Sequence, residues 1–198
     1  MMQVNPVTLE GESVRLEPLR LSHSAELFAI SHDIDIWRYM SHPQPNTQVE
    51  MDGWITVALE AQEAGQQVPF VTIERHSGRL VGSTRYLNIM LQDRGLEIGS
   101  TWLAPEFRRT HINTECKYLL LRHAFETLGA IRVQFKTDSR NVTSQRAIER
   151  LGAQKEGVLR NHMVMSDGYY RHSVYYSVID AEWPTIKTRL EAFLTRQI

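Results

Sequence analysis

Glu97 sits in a run where Leu96, Ile98, Ser100 and Trp102 alternate with their neighbours. Alternation is the period of a β-strand. A carboxylate that a strand holds in a cleft can accept a proton, directly or through water. The same alternation sets Gly95, Gly99 and Thr101 on the side of Glu97. An exposed strand glutamate is the other reading of that position. Further on, Ser144 follows Asn141 by three residues. A hydroxyl there could hand a proton to a leaving group, or simply cap a helix. Between the two lies Glu106-Phe107-Arg108-Arg109-Thr110-His111-Ile112-Asn113, where a strand passes into a helix. Such a junction aims backbone N–H groups, and about half a positive charge from the helix dipole, at an anion.

Other chemistries find little support. Cys116 shares an apolar helical face with Leu119 and Leu120 and reads as an inert, buried thiol. It is the only cysteine, and the eight histidines show no HExxH spacing, so no metal site is expected. There is no Walker phosphate loop and no GxSxG elbow.

The elements that would position these groups follow from periodicity and punctuation. Residues 13–19 read as a short strand. A helix capped by Ser22 or Ser24 runs to Ile30, and a second runs from Asp33 to Met40. Two prolines make 42–46 a loop, and Thr47 opens a helix that Gly65 ends. Strands at 70–74, 80–88 and 96–102 form an antiparallel meander. A helix from Asn113, its cap, to Leu128 precedes a strand at 131–138. This strand–helix–strand unit predicts a parallel, right-handed pair. A helix over 143–151, a hairpin of 156–165 and 170–179, and a helix from Pro184 to Thr195 complete the chain. The expected class is α/β: a mixed, mostly antiparallel sheet with one splayed parallel strand pair, flanked by helices.

The 198 residues suit one domain, 1–198. With 42% hydrophobic and 23% charged residues, the composition is that of a globular protein. No run approaches a membrane span, and the start lacks a secretory pattern, so a cytoplasmic location without membrane attachment is expected. A net charge of −1 argues against general nucleic-acid binding. Locally, Arg108, Arg109, Lys117, Arg122, Lys136, Arg140 and Arg146 crowd one stretch. They would suit a polyanion, or form a solvated surface.

Four segments carry a family resemblance. They are Leu96-Glu97-Ile98-Gly99 leading to Trp102-Leu103; the loop 108–113; Asn113-Thr114-Glu115 with Lys117; and Asn141-x-x-Ser144-x-Arg146-Ala147-Ile148-x-x-Leu151-Gly152. From about Val14 to Trp183 the chain resembles the GNAT superfamily of N-acetyltransferases. The similar branch includes the ribosomal-protein N-terminal acetyltransferases. The resemblance implies acetyl-CoA as acyl donor, an amine acceptor (small molecule or peptide), and direct attack without a covalent enzyme intermediate.

It also implies residue roles. Trp102 and Leu103 would bind the pantetheine arm through their main chain. Arg108, Arg109, Thr110, His111, Ile112, Asn113 and Thr114 would hold the pyrophosphate, with Asn141 and Arg146 completing the cofactor set. Glu97 would act as base through water and Ser144 as acid. Arg85, Tyr86, His162 and Tyr175 would belong to the acceptor side, and a homodimer stays open. His111 and Asn113 stand where the family motif has glycine or a small residue, and Arg109 where glycine is frequent. Either side chains replace backbone contacts there, or the pyrophosphate is blocked. In the second case the chain would be a degenerate acyl-CoA-binding or regulatory protein.

Overall fold

The computed structural model describes residues 2–195. Eight strands make one sheet: β1 (Leu9–Glu10), β2 (Val14–Pro18), β3 (Val68–Glu74), β4 (Leu80–Met90), β5 (Gly95–Leu103), β6 (Arg132–Asp138), β7 (Gln154–Val164) and β8 (Tyr170–Ile179). Their spatial order is β1-β2-β3-β4-β5-β6-β8-β7. Every neighbouring pair is antiparallel except β5 and β6, which run parallel. The expected meander and the strand–helix–strand unit are both present.

Among the described residues six α-helices cover the sheet: α1 (Ser24–Ile30), α2 (Ile34–Trp37), α3 (Gln48–Glu63), α4 (Ile112–Arg122), α5 (Val142–Leu151) and α6 (Trp183–Thr195). Thr47 caps α3, its hydroxyl accepting from the Glu50 amide at 3.2 Å. Gly65 follows that helix at φ 69°, a conformation that costs glycine nothing. The start of α1 differs from expectation. A 3₁₀ turn over Leu21–His23 precedes it, so neither serine caps it; Ser24 is its first residue and donates to Asp52. Helix α4 stops at Arg122, and the expected last turn is a π-turn over His123–Thr127.

Two apolar clusters lie on opposite sides of the sheet. One joins Leu96, Ile98, Leu103, Leu119, Val133, Phe135 and Trp183 under α4, α5 and α6. The other joins Leu27, Trp37, Met51, Ile55, Val71 and Trp102 under α1, α2 and α3. Glu115 ties the chain's beginning to α4: its buried carboxylate accepts from the amides of Glu12 and Ser13. No helix among the described residues is long and apolar enough to cross a membrane.

Candidate active site

β5 and β6 pair only at Gly95–Glu97 with Arg132–Gln134. Both strands then continue, to Leu103 and Asp138, without further pairing to each other. A parallel pair that stops pairing midway opens a wedge with unpaired backbone on both walls. Glu97 and Gln134 stand at its foot.

β5 is not the uninterrupted strand that its alternation implies. Ser100 has φ 47°, and the register against β4 slips between Arg85↔Gly99 and Ser83↔Trp102. This is a β-bulge, which takes one residue out of the ladder and reverses the facing of those beyond it. Ile98 therefore packs under α4, whereas Trp102 packs on the α1–α3 side. Thr101 is consequently not on the side of Glu97, correcting the alternation. Its hydroxyl instead meets Thr84 at 2.7 Å and Lys117 Nζ, beneath α4. The bulge was hidden because Leu96, Ile98, Ser100 and Trp102 mimic an unbroken period of two.

Glu97 is buried, 1% exposed, so the exposed alternative is overturned. Its Oε2 accepts from Asn88 Nδ2 at 2.7 Å and Gln134 Nε2 at 2.8 Å, and Lys136 Nζ lies 3.6 Å from Oε1. Gly99 makes room for it: a Cβ there would come within 3.1 Å of Oε1. Beside this group, His162 Nδ1 is 3.0 Å from Ser173 Oγ, and Nε2 is 3.4 Å from the Tyr175 hydroxyl. Burial, then the charges of Lys136 and Arg171, hold the His162 imidazole below its ordinary value of 6.5. It is therefore neutral near pH 7, one ring nitrogen donating and the other accepting among these hydroxyls. Burial, then the Glu97 charge, raises the Tyr175 phenol. Tyr86 does not belong here. It is fully buried on the other face, donating to the Leu120 carbonyl at 2.6 Å.

The strand-to-helix junction assembles as expected, with changes of detail. Thr110 closes it, donating to the Phe107 carbonyl at 2.8 Å and accepting from the Ile112 amide at 3.3 Å. The helix begins at Ile112 with His111 in the cap position, so Asn113 lies in the first turn rather than capping it. First-turn amides such as those of Asn113 and Thr114 have no helical acceptor and remain donors for an anion. His111 has φ −69° and asks nothing that only glycine supplies. The left-handed residue is Arg109, at φ 60°.

The basic stretch does not form one surface. Arg108 bridges the Leu103 carbonyl and Asp33, at 3.2 and 2.8 Å. Lys117 is buried, Lys136 faces Glu97, and Arg140 pairs with Asp138 at 2.8 Å while stacking 3.6 Å over Tyr169. Arg109 and Arg146 are exposed, as is the Arg140 that pairs with Asp138, and Arg122 is half-buried over Tyr118. Two further cations lie near the start of α4: Arg150 and Arg189 line a cavity of about 290 Å³ with Thr114 and Phe193. They lie on α5 and α6, far in sequence from the loop, so only the fold reveals them.

Trp102 and Leu103 are buried, leaving main chain for a ligand. Ile112 is core, and Thr114 accepts from Arg150 at 3.3 Å. Asn141 caps α5, its Oδ1 accepting from the Ser144 amide at 3.0 Å, which leaves Nδ2 as a donor at the wedge mouth. Ser144 is half-buried on the first turn of α5. Cys116 is fully buried, and burial pushes its thiol up to about 12, so it is inert. Among the described residues no group of three or more metal-ligating side chains occurs.

Known proteins share this architecture. The family model for an acetyltransferase (GNAT) domain matches residues 13–154. The chain is 33% identical over 108 residues to YdaF of Bacillus subtilis, named as a ribosomal N-acetyltransferase; the match covers 54% of this chain and 58% of that protein. The chain thus spans little more than half the length of that curated relative. A GCN5-related N-acetyltransferase from Brucella melitensis superposes with a TM-score of 0.90 at 32% identity, over 96% of this chain and 86% of that one. RimJ from Mycobacterium smegmatis, solved with CoA-disulfide, has a TM-score of 0.82 at 22% identity, over 95% of each chain, a likeness of fold.

Proposed function

The chain belongs to the GNAT acetyltransferase family, and from that premise we propose that it moves an acetyl group from acetyl-CoA to a primary amine, a peptide N-terminus included, by direct attack. The observation that carries this reading is the wedge, where β5 and β6 part immediately beyond the buried carboxylate of Glu97. In this reading, 1–198 acts as one cytoplasmic transferase domain.

The pantetheine arm lies along unpaired backbone of β5 near Trp102 and Leu103, like an added strand, with Asn141 Nδ2 donating to it. The pyrophosphate sits at the start of α4, on the Asn113 and Thr114 amides and the side chain of Arg109. Arg146, Arg150 and Arg189 supply further charge for phosphates. Ser100, outside the ladder, offers its backbone N–H to the thioester oxygen, where charge develops.

Amine nitrogen forms a bond to the thioester carbon, and the carbon–sulfur bond breaks. The proton leaves the amine through water to Glu97, and the leaving thiolate takes one from the Ser144 hydroxyl. An amine with a pKa of about 8–10 must lose that proton for acyl transfer to finish. A second reading has its own observation: Arg109 occupies a left-handed position with a full side chain. If that side chain holds the pyrophosphate in an unproductive pose, the chain binds acyl-CoA without turning it over, as a degenerate acyl-CoA-binding or regulatory protein.

Calorimetry with acetyl-CoA and CoA tests the first reading, together with thiol release across peptides, polyamines and small amines. Micromolar binding and amine-dependent thiol release are expected. No binding at millimolar ligand removes both readings. Binding without turnover on any acceptor leaves the second.

A further inference from the structure

Arg85 carries a charge that no ion pair among the described residues balances. It lies on β4 opposite Gly99, next to the bulge, and is 5% exposed. Its Nη1 donates to the neutral amide oxygen of Gln67 at 3.1 Å, and its guanidinium stacks 4.3 Å over Trp54. Its Nε and Nη2 are buried and have no hydrogen-bond partner among the described residues. No carboxylate among them lies within salt-bridge distance, and burial alone draws the group down to about 10. A third donor shares this condition. Trp102 Nε1 is buried without a partner, and its ring stands 6.4 Å from that of Trp54. Beyond the bulge, Trp102 faces the same side of the sheet as Arg85.

Buried guanidinium groups are ordinarily paired, because an unpaired charge in a low dielectric is costly to keep. A cluster of unpaired buried donors calls for a physical explanation, and a bound ligand supplies one. A planar fork next to an indole N–H fits the two oxygens of a carboxylate. The cluster lies on the Glu97 side of β5: Gly99, opposite Arg85, is two residues from Glu97. Strand geometry puts the two Cα atoms roughly 8 Å apart, from a rise of about 3.4 Å per residue and a strand spacing of about 4.8 Å.

We propose that Arg85, with the Trp102 indole, binds a carboxylate of the acceptor, so that the amine acetylated here belongs to an acidic molecule. This rests on the acetyl-transfer reading above and gives it a substrate class. The carboxylate has two sources, the α-carboxylate of a free amino acid or an acidic side chain near a peptide N-terminus. His42, on the loop between α2 and α3, is close enough to feel the Arg85 charge.

The test compares matched acceptors in the thiol-release assay. One arm sets glycine and glutamate against glycinamide. The other sets tetrapeptides with Glu at the second position against the same peptides with Gln. The wild type is expected to favour the carboxylate in one arm by roughly tenfold to a hundredfold in kcat/KM. Arg85→Gln abolishes that ratio while the CoA dissociation constant stays the same. Arg85→Lys, which keeps the charge but not the fork, falls between. Equal rates for carboxylate and amide in both arms, or a preference that survives in Arg85→Gln, overturn the proposal.

Should no acceptor release thiol, thermal shift reads the site directly with the same probes. A carboxylate probe that raises the wild-type Tm but not that of Arg85→Gln supports the proposal, and no such difference overturns it. CoA binding is scored apart, so failure of the transferase reading is seen separately. A purely structural role for Arg85 predicts a lower Tm for Arg85→Met. A ligand role predicts a Tm that is equal or higher, because an unbalanced buried charge is gone.

Discussion

The two faces of β5 meet different demands. Under α4, α5 and α6 the surroundings are mostly apolar, and the groups that the proposed function assigns to the acyl arm and thioester are backbone: first-turn amides, a bulge, unpaired strand edges. On the α1–α3 side, buried side chains from separate elements converge: Glu97 with Asn88, Gln134 and Lys136, and Arg85 with Trp54 and Gln67. In the proposed function the acyl arm is met by chain geometry on one face, and the acceptor by buried charged side chains on the other. A donor shared by many enzymes suits the first arrangement, and an acceptor that must be distinguished suits the second. The largest expected effect follows from this division. Glu97→Gln should lower kcat about 10²- to 10³-fold, the range of a lost general base, and leave the CoA dissociation constant within about twofold. Loss of CoA binding in that variant, measured by calorimetry, would break the division.

Lys117 is a buried charge on the face under α4, α5 and α6, and it sharpens the contrast. Its ammonium is buried, meets only the Thr84 and Thr101 hydroxyls, and is drawn by burial to about 8 from 10.5. The folded chain thus holds this proton less tightly than the unfolded one. The penalty is complete below pH 8, fades between pH 8 and 10.5, and is absent above. A shift of that size is worth on the order of 3 kcal/mol. Lys117→Met should therefore be more stable by about 1–3 kcal/mol at pH 7 in urea unfolding. The gap should narrow as pH rises towards 10. A variant less stable at pH 7 would mean that the lysine holds the bulge in place.

The same division governs what could be read from residue order. Helices α3, α5 and α6, the meander and the parallel pair were legible, because capping residues, period and length are local signals. The strand–loop–helix junction was legible for the same reason. The bulge was not: Ser100 continues an apparent alternation, and only the register against β4 exposes the slip. Tyr86 and Arg85 are one residue apart, yet strand pleating sends them to opposite faces. The role of each depends on which helix covers that face. Arg150 and Arg189 come to one cavity beside Thr114 only because the fold brings the ends of α5 and α6 there.

The phosphate loop offers the next test. Arg109 at φ 60° bears the cost of a left-handed conformation, about 1 kcal/mol for a residue other than glycine. Arg109→Gly should relieve that cost and raise Tm by a few degrees. If the guanidinium contacts phosphate, the same change should weaken CoA about fivefold to tenfold, mainly at low salt. Unchanged affinity would assign the loop's recognition to backbone alone, and the contrast between the faces would be stronger still.

The smallest effect is expected at Cys116. Its thiol is pushed up to about 12 by burial between α4 and β3, 3.9 Å from the Thr72 hydroxyl. Almost no thiolate exists at pH 8, and the sulfur is out of reach of solvent. An aromatic disulfide reagent should therefore leave the folded protein unlabelled for hours and react at once in denaturant, and blocking attempts should not change thiol release. Rapid labelling of the native chain would mean that α4 lifts from the sheet. The wedge beside it would then be a moving part, and the cofactor face could no longer be described as fixed chain geometry.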